Sequence, residues 1–382
     1  MDNRYADVII DIAHEKVDRP FQYRIPEGLI ERVTEGSCVR VPFGAGNRLR
    51  KGYVVALKSA VEYEPSKMKE IDSVETGGVS VEGKQILLAA FLKRNYGSTM
   101  IQALKTVLPA KVSVRAVELK SVRLAIARGE AEEELALFEK KHQTARARLL
   151  KELLFVDCLP YGLVTRKLHI GAATRKALKE QGIIAVDTRQ RLRNPIRIKT
   201  AAEEKKRLSA GQQKAVDTVL SEYDAGIRRT YLLHGITGSG KTEVYMHLIE
   251  GILARGRQAI VLIPEIALTY QTLMRFYSRF GDRVSVMNST LSAGEKYDQC
   301  ERAKRGEIDI IIGPRSALFT PFPNIGLILI DEEHENSYKS ESAPKYHARE
   351  TAEEVARLHG ASVVLGSATP SLEAFYRAQQ GR

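Results

Sequence analysis

The feature that most constrains this 382-residue chain is a glycine-rich stretch, HGITGSGKTEVY, between an apolar run and an amphipathic run. It has the pattern G-x-x-x-x-G-K-T, directly after the strand-like YLL and before the helix-like EVYMHLIEGIL. Glycines let the backbone fold closely around a phosphate, and the N–H groups that start the helix point toward that phosphate. The sequence therefore predicts a triphosphate site made by Gly235, Ile236, Thr237, Gly238, Ser239, Gly240, Lys241 and Thr242.

A second stretch, LILIDEEHENSYK, changes abruptly from strand-like apolar residues to acids. In a sheet with a P-loop, an apolar strand that ends in Asp holds Mg²⁺ opposite the Thr hydroxyl of the loop. We therefore expect Thr242 and Asp331 to be the Mg²⁺ ligands, at neighbouring strand ends, with Glu332 as the general base for water. An acid-rich helix N-terminus would also explain the acids, but it would not explain the glycine-rich loop in the same part of the chain.

Three segments are predicted along the chain. Residues 1–104 contain short β-branched runs punctuated by Pro and Gly, and a helix-like stretch ends this β-rich domain. Residues 105–199 contain a short helix, a turn at Gly171, a second helix over residues 172–181 and a strand from Ile183, an order typical of a winged helix. Residues 200–382 alternate apolar and amphipathic runs, which predicts an α/β lobe with a parallel sheet covered on both faces.

The net charge of +12 is concentrated in the middle segment. Residues 105–199 contain 21 Lys and Arg against 10 Asp and Glu. A basic solvated surface is one interpretation, and a domain that binds a polyanion such as DNA is the second, because a local basic surplus neutralises phosphates. On the second helix, Arg175, Lys176 and Lys179 are predicted to point outward and contact DNA, although many winged helices bind protein instead.

The cysteines argue against a metal or disulfide framework within this chain. Cys38, Cys158 and Cys300 are far apart and form no C-x-x-C pair, which fits a reducing cytoplasm. No apolar run approaches the roughly 18 residues of a membrane span.

Five stretches together resemble one kind of superfamily 2 helicase: GITGSGKTEVY, LIPEIALT, IIGPRSALFTPFPNIGLILIDEEHENSYK, YHARETA and LGSATPSLE. They are similar to the PriA (primosomal protein N′) family of replication restart helicases. Upstream, VDRPFQYRIPEGL and CVRVPFGAGNRLRKGYVV resemble the 3′-DNA-binding domain of that family. The resemblance is dense over residues 208–376, where it implies a RecA-like lobe, and between 110 and 200 it rests on order and pattern.

The resemblance implies a role for each motif. ATP and Mg²⁺ would bind at the glycine-rich loop, with Gln212 near the adenine, and His334 would connect the nucleotide site with DNA. Gly366, Ser367, Ala368 and Thr369 would form the motif that couples hydrolysis to strand movement. Pro264, Glu265 and Thr269 would lie along the single-strand track. The residues expected to contact DNA are Phe21, Gln22, Tyr23, Lys69, Arg315, Ser316, Tyr338, Lys339, Tyr346 and Arg349, of which the last four, with Lys345, belong to an aromatic-rich loop.

Several of these residues could instead have a purely structural role. Tyr338 and Tyr346 could serve in packing, His334 could act as a local cap, and Arg315 could form an ion pair inside the lobe. Gln22 stands where the family often has Asp, which leaves recognition of a DNA 3′ end possible without a charge.

The family resemblance implies an ATP-dependent 3′-to-5′ DNA helicase of replication restart. It would bind forked or single-stranded DNA as a monomer and assemble with primosome proteins and single-strand-binding protein. The sequence stops shortly after the SAT motif, so we expect a second helicase lobe and the zinc-binding cysteines in a missing C-terminal part, and weak ATP hydrolysis by this chain alone. The competing hypotheses are a non-enzymatic, structure-specific DNA-binding adaptor with a nucleotide lobe, and a P-loop kinase.

Overall fold

The computed structural model describes residues 4–60, 68–75, 83–108, 117–191 and 207–381. None of the helices in these ranges combines the length and the apolarity needed to cross a bilayer. The chain divides into two compact units: Val114–Arg193 is one, and Met1–Ser113 with Asn194–Arg382 is the other.

The N-terminal part is an antiparallel five-stranded sheet of β1 (Tyr5–Ile10), β2 (Phe21–Arg24), β3 (Cys38–Phe43), β4 (Arg48–Lys58) and β5 (Ser73–Val74). The strands lie in the order β2-β1-β4-β3-β5. Side chains of successive residues go to opposite faces, so Val8 and Ile10 pack in one core and Ile9 in another. Gly52 allows β4 to approach β1 closely, because a Cβ there would lie 2.4 Å from Val8 Cγ1. The β-rich N-terminal domain is confirmed.

Two helices follow this sheet, α1 (Gly83–Tyr96) and α2 (Met100–Val107). Thr99 and Gln102 form a reciprocal capping box at the start of α2, which satisfies two N–H groups that the helix itself cannot bond. The predicted domain boundary after residue 104 falls inside α2, because apolar residues continue to face the core as far as Val107.

The unit Val114–Arg193 combines helices with a small sheet. It contains β6 (Val117–Leu124), α3 (Arg128–Lys140), α4 (Thr144–Phe155), β7 (Leu159–Pro160), α5 (Tyr161–Arg166), α6 (Ala172–Glu180) and β8 (Ile184–Arg191). The antiparallel sheet has the order β7-β6-β8. The predicted succession of helix, Gly171 turn, helix and strand is present as α5, α6 and β8, within one residue of the expected bounds.

The C-terminal part is a six-stranded parallel sheet of β9 (Thr230–His234), β10 (Gln258–Leu262), β11 (Val284–Val286), β12 (Ile310–Gly313), β13 (Ile325–Asp331) and β14 (Ser362–Ser367). The strand order is β11-β12-β10-β13-β14-β9. The helices are α7 (Ala210–Asp224), α8 (Lys241–Ala254), α9 (Tyr270–Phe280), α10 (Ala293–Lys304), α11 (Ala348–His359) and α12 (Leu372–Gln379). Along β10, Ile260 and Leu262 join one core cluster while Ala259 and Val261 join the other, so both faces are covered. The predicted α/β lobe is confirmed.

Helix α1 packs on this lobe through α11. Leu88 and Leu92 of α1 share a core cluster with Ala352 and Val355 of α11. The N-terminal sheet and the parallel sheet belong to one compact unit. The division into three domains stays a prediction.

Candidate nucleotide and DNA sites

The glycine-rich loop has a backbone that only glycine adopts readily. Gly238 and Gly240 both have a φ of 82°, in the left-handed region. Gly240 caps α8, which begins at Lys241. Lys241 Nζ donates to the carbonyl oxygen of Gly235 at 2.8 Å, so the ammonium lies over the loop. The loop thus presents a cation and a helix N-terminus on one concave surface, as a phosphate site requires.

Thr242 and the two acids meet at the carboxyl end of the same sheet. The loop follows β9, Asp331 ends β13, and β14 lies between these strands. The expectation of neighbouring strand ends was therefore wrong by one strand, because β14 inserts between them. The side chains nevertheless line one cavity of about 440 Å³, together with Lys241.

The donors at this cavity fit Mg²⁺. The Thr242 hydroxyl and the Asp331 carboxylate offer oxygen ligands, which this hard cation prefers. Within the described ranges, no group of three or more His, Cys, Asp or Glu side chains could hold a metal ion. Burial raises the pKa of the Asp331 carboxyl. A hydrogen bond from Tyr245 lowers this pKa but offsets only part of the rise. A bound cation would offset this cost of ionisation.

Glu332 is held in a strained backbone conformation at the mouth of the cavity. Its φ of 46° is uncommon for a residue with a side chain. One carboxylate oxygen lies 3.9 Å from Lys241 Nζ and the other lies 3.8 Å from His334 Nδ1. This carboxylate can accept a proton from a water molecule in the cavity, which is the chemistry that a general base needs.

His334 connects the acidic stretch with the SAT motif. Its Nδ1 lies 2.8 Å from Ser367 Oγ, and its Nε2 lies 3.4 Å from Thr369 Oγ1. The carbonyl oxygen of Gly366 accepts from the N–H of Glu333 at 3.1 Å, and the carbonyl oxygen of Ser367 accepts from the N–H of Gly235. The SAT motif therefore contacts both the acidic stretch and the glycine-rich loop.

Glu333 and Arg349 form a buried ion pair that the sequence did not indicate. The Glu333 carboxylate is 1% exposed and accepts from Arg349 Nη1 at 2.9 Å and from Ser371 N at 2.6 Å. Arg349 was expected to contact DNA, but its side chain is buried in the first turn of α11. This expectation is corrected, because the guanidinium compensates a buried carboxylate instead of facing solvent.

Tyr338 and Tyr346 are also internal. The Tyr338 hydroxyl lies 2.6 Å from the carbonyl oxygen of Asp331 and 3.1 Å from that of Leu262. The Tyr346 ring packs edge-on against Phe319 at 5.3 Å, and burial raises the pKa of its hydroxyl to about 12. Direct DNA contact by these two rings is corrected to packing, the alternative that the sequence left open.

Two lysines of the aromatic-rich loop remain accessible. Lys339 and Lys345 are exposed, and Lys339 Nζ lies 5.2 Å from the centre of the Tyr96 ring. Arg315 donates to the carbonyl oxygens of Ser337 and Lys339, at 2.6 and 2.9 Å, instead of pairing with an acid. Several expected members of the single-strand track line a cavity of about 240 Å³: Pro264, Glu265, Arg315 and Ser316.

Gln212 belongs to α7, and its side-chain amide bonds the glycine-rich loop. Its Nε2 donates to the carbonyl oxygen of Ser239 at 2.8 Å, and its Oε1 accepts from the N–H of Ser209. Both ends of the amide are thus engaged in the protein, and a contact with adenine stays a prediction.

In the N-terminal sheet, the expected DNA residues lie along β2 and the neighbouring Lys69. The Phe21 ring packs edge-on against Phe43 at 5.0 Å and is partly exposed. Gln22 Nε2 donates to the carbonyl oxygen of Ala60 at 3.3 Å. Tyr23 is buried and its hydroxyl donates to the carbonyl oxygen of Pro42, so direct DNA contact by Tyr23 is corrected to a structural role. Lys69 Nζ donates to the carbonyl oxygen of Gly44.

On α6, two of the three basic residues point outward as expected. Lys176 and Lys179 are exposed. Arg175 is partly buried, because its guanidinium stacks on the Tyr161 ring at 4.8 Å and bonds the carbonyl oxygen of Ile170. For Arg175 the expected outward orientation was wrong, and the apolar and aromatic surface of α5 is the reason.

Sequence reasoning missed further residues at or next to the nucleotide cavity, among them Arg275 and Tyr245. Arg275 of α9 lines the cavity, and Tyr245 of α8 contacts Asp331. The spacing of Tyr245, three residues after Thr242 on one helix, was the available signal, because such residues share a helix face.

Two family models match this chain. The 3′DNA-binding domain (3′BD) model of PriA matches residues 7–109, and the model named type III restriction enzyme, res subunit, matches residues 205–372. The first covers the N-terminal sheet with α1 and α2, and the second covers the parallel-sheet lobe. Residues 7–109 therefore carry a 3′-DNA-binding domain, and the lobe is that of a helicase ATPase family.

The curated relatives have one name in common. Replication restart protein PriA of Bacillus subtilis (strain 168) is 34% identical over 441 residues, covering 99% of this chain and 54% of the relative. The protein of the same name from Chlamydia pneumoniae is 34% identical over 99% of this chain and 50% of the relative. That from Synechocystis is 45% identical over 54% of this chain and 24% of the relative. This chain spans about half the length of the first two relatives. It belongs to the PriA family.

Proposed function

We propose that this chain supplies the 3′-DNA-binding domain and the nucleotide-binding lobe of an ATP-dependent 3′-to-5′ DNA helicase that restarts replication at forks. The observation that carries the proposal is the cavity at the carboxyl end of the parallel sheet. Lys241, Thr242, Asp331 and Glu332, which come from two loops about 90 residues apart in sequence, line this one cavity.

Each residue of the cavity has a chemical task under this proposal. Lys241 and the N–H groups of the loop would bind the β- and γ-phosphates, and Thr242 and Asp331 would hold Mg²⁺. When bound, Mg²⁺ supplies neutralisation of the charge that develops on the phosphates. Glu332 would orient a water molecule and take its proton, since its carboxylate is accessible from the cavity.

The proposed link from hydrolysis to DNA passes through His334 and the SAT motif. His334 contacts Ser367 and Thr369, and Ser367 bonds the first glycine of the loop. Loss of the γ-phosphate would therefore alter contacts of both the glycine-rich loop and the SAT motif. The DNA contacts we propose are Phe21, Gln22 and Lys69 in the N-terminal domain, Lys176 and Lys179 on α6, and Arg315, Ser316 and Lys339 on the lobe.

The wider setting is carried over from the resemblance to the PriA family. We propose a cytoplasmic monomer that binds forked or single-stranded DNA and works with primosome proteins and single-strand-binding protein. Superfamily 2 helicases close ATP between two lobes, and the described residues contain one, so we expect slow hydrolysis by the 382 residues alone.

The test combines nucleotide and DNA binding by the 382-residue chain. Fluorescence anisotropy of a labelled ATP analogue with Mg²⁺ should show binding that Lys241→Ala weakens at least tenfold. Forked DNA whose leading arm ends in a 3′ hydroxyl should bind more tightly than the same fork with a 3′ phosphate. Equal nucleotide binding by wild type and Lys241→Ala would refute the nucleotide site.

The second candidate, a DNA-binding adaptor without motor function, is favoured by the position of the N-terminal sheet and the lobe in one compact unit. Fast, DNA-stimulated ATP hydrolysis by the 382-residue chain would exclude it. Fork binding with no nucleotide binding at all would favour it over the motor.

A further inference from the structure

Tyr245 directs its hydroxyl at the carboxylate that is expected to hold Mg²⁺. The hydroxyl donates to Asp331 Oδ1 at 2.9 Å. The side chain is 2% exposed and lies among the core residues beneath the sheet. A buried tyrosine hydroxyl needs a polar partner, and here that partner is the last residue of β13.

The helix that carries Tyr245 also carries the other expected Mg²⁺ ligand. Thr242 and Tyr245 are three residues apart on α8 and therefore share a face of that helix. One rigid helix thus fixes the Thr242 hydroxyl directly and the Asp331 carboxylate through Tyr245.

The structure makes room for this contact at Gly366, on the strand between β9 and β13. A Cβ added to Gly366 would lie 1.6 Å from the Tyr245 hydroxyl oxygen. The backbone fixes the position of a Cβ, so a change of rotamer at residue 366 could not relieve this clash. The glycine that begins the SAT motif is therefore required for the tyrosine to reach Asp331.

Asp331 is held at its backbone as well. The Tyr338 hydroxyl lies 2.6 Å from the Asp331 carbonyl oxygen. With the backbone fixed, the main remaining freedom is rotation of the carboxylate about its broad terminal torsion. The Tyr245 donor on Oδ1 restricts that rotation, together with the N–H of Glu332, which also bonds this carboxylate.

We propose that Tyr245 is a positioning residue, whose hydroxyl orients the Asp331 carboxylate so that its second oxygen faces the Mg²⁺ of a bound nucleotide. Tyrosine suits this task because it is a neutral donor and adds no positive charge beside the cation. The inference rests on the proposed nucleotide site, since it takes Asp331 as a ligand of Mg²⁺.

The experiment measures how nucleotide binding depends on Mg²⁺. Anisotropy of a fluorescent ADP analogue is recorded on the 382-residue chain while free Mg²⁺ is varied. Loss of a group that orients a metal ligand typically weakens metal binding by about tenfold or more. Tyr245→Phe should therefore raise the Mg²⁺ concentration for half-maximal binding about tenfold, and at saturating Mg²⁺ the nucleotide affinity should stay within about twofold.

Tyr231 provides a matched control. Its hydroxyl donates to Glu222 at 2.7 Å, so Tyr231→Phe removes the same kind of tyrosine–carboxylate bond in the same lobe, away from the cavity. Tyr231→Phe should leave the Mg²⁺ midpoint unchanged. Thermal unfolding of both variants checks that they fold.

Gly366→Ala is a second, independent variant. Its added methyl displaces the hydroxyl and should also raise the Mg²⁺ midpoint. If Tyr245→Phe leaves the Mg²⁺ midpoint unchanged, the inference is overturned while the nucleotide site stays intact. If Tyr245→Phe does not fold, an unchanged midpoint in Gly366→Ala overturns it in the same way. If wild type and Lys241→Ala bind the analogue equally, the nucleotide site fails first, and the role of Tyr245 fails with it.

Discussion

The acids of the nucleotide cavity and the aromatic-rich loop, residues 338–349, are close together in the sequence. Their side chains nevertheless differ in exposure and in the contacts that they make. At the cavity, Glu332 has a left-handed backbone and its side chain is accessible. In the loop, Tyr338, Tyr346 and Arg349 are buried and bonded within the protein. At the cavity, Glu332 has a strained backbone and an accessible carboxylate. The buried residues of the loop pack beneath the acidic stretch and support it.

The difference teaches that residue type alone does not identify a DNA contact. Aromatic and basic residues suit stacking on bases and binding to phosphates, and they suit a buried support equally well. Tyr338 bonds the backbone of Asp331, and Arg349 compensates Glu333, so both act on the acidic stretch from beneath.

The largest expected effect comes from breaking the buried pair. Arg349→Met should lower the free energy of unfolding by about 3–5 kcal/mol, because it leaves the Glu333 carboxylate buried without a partner. Chemical denaturation measures this loss. Arg357→Met, which removes a solvent-exposed partner of Glu354, should cost far less, because water screens that pair. Similar losses in the two variants would show that Arg349 is not a structural support.

Removing exposed charge from the loop tests its DNA face. Lys339→Ala with Lys345→Ala should weaken fork binding about tenfold at low salt and reduce the salt dependence by about one phosphate contact for each lysine. Tyr346→Phe, a change inside the same loop, should leave fork affinity unchanged because that ring is buried. Titrations at several salt concentrations would reveal the opposite pattern if the hydroxyl of Tyr346, and not the lysines, bound DNA.

Relieving the strain at the cavity should separate stability from function. Glu332→Gly should raise the free energy of unfolding by up to about 1 kcal/mol, because glycine adopts a φ of 46° without a steric penalty. The same change removes the proposed base, so hydrolysis should fall. Glu332→Gln keeps the backbone strain and serves as the control. Equal stability of the glycine and glutamine variants would argue that the strain has no cost.

The last expected effect appears only at acid pH and concerns His359, at the C-terminal end of α11. Burial, with Lys84 and Arg257 nearby, lowers the pKa of His359 to about 4. Since the unfolded chain takes up this proton near pH 6.5, the contribution of neutral His359 is complete above that pH and is lost as pH falls toward about 4. His359→Gln should flatten the stability profile between these values, as measured by thermal unfolding. A profile identical to wild type would assign the acid sensitivity to other groups.

The sequence by itself determined the type of sheet and predicted which residues make the candidate nucleotide site. The glycine-rich loop and the acids after LILI are local patterns, and alternating apolar and amphipathic runs specify a parallel sheet without reference to distant residues. Only the tertiary structure decided that β14 lies between β9 and β13, that Tyr245 bonds Asp331, and that Arg349 faces Glu333. Burial is a property of packing between residues far apart in the chain: the hydroxyl of Tyr338 reaches Leu262, 76 residues away. No local pattern contains that distance.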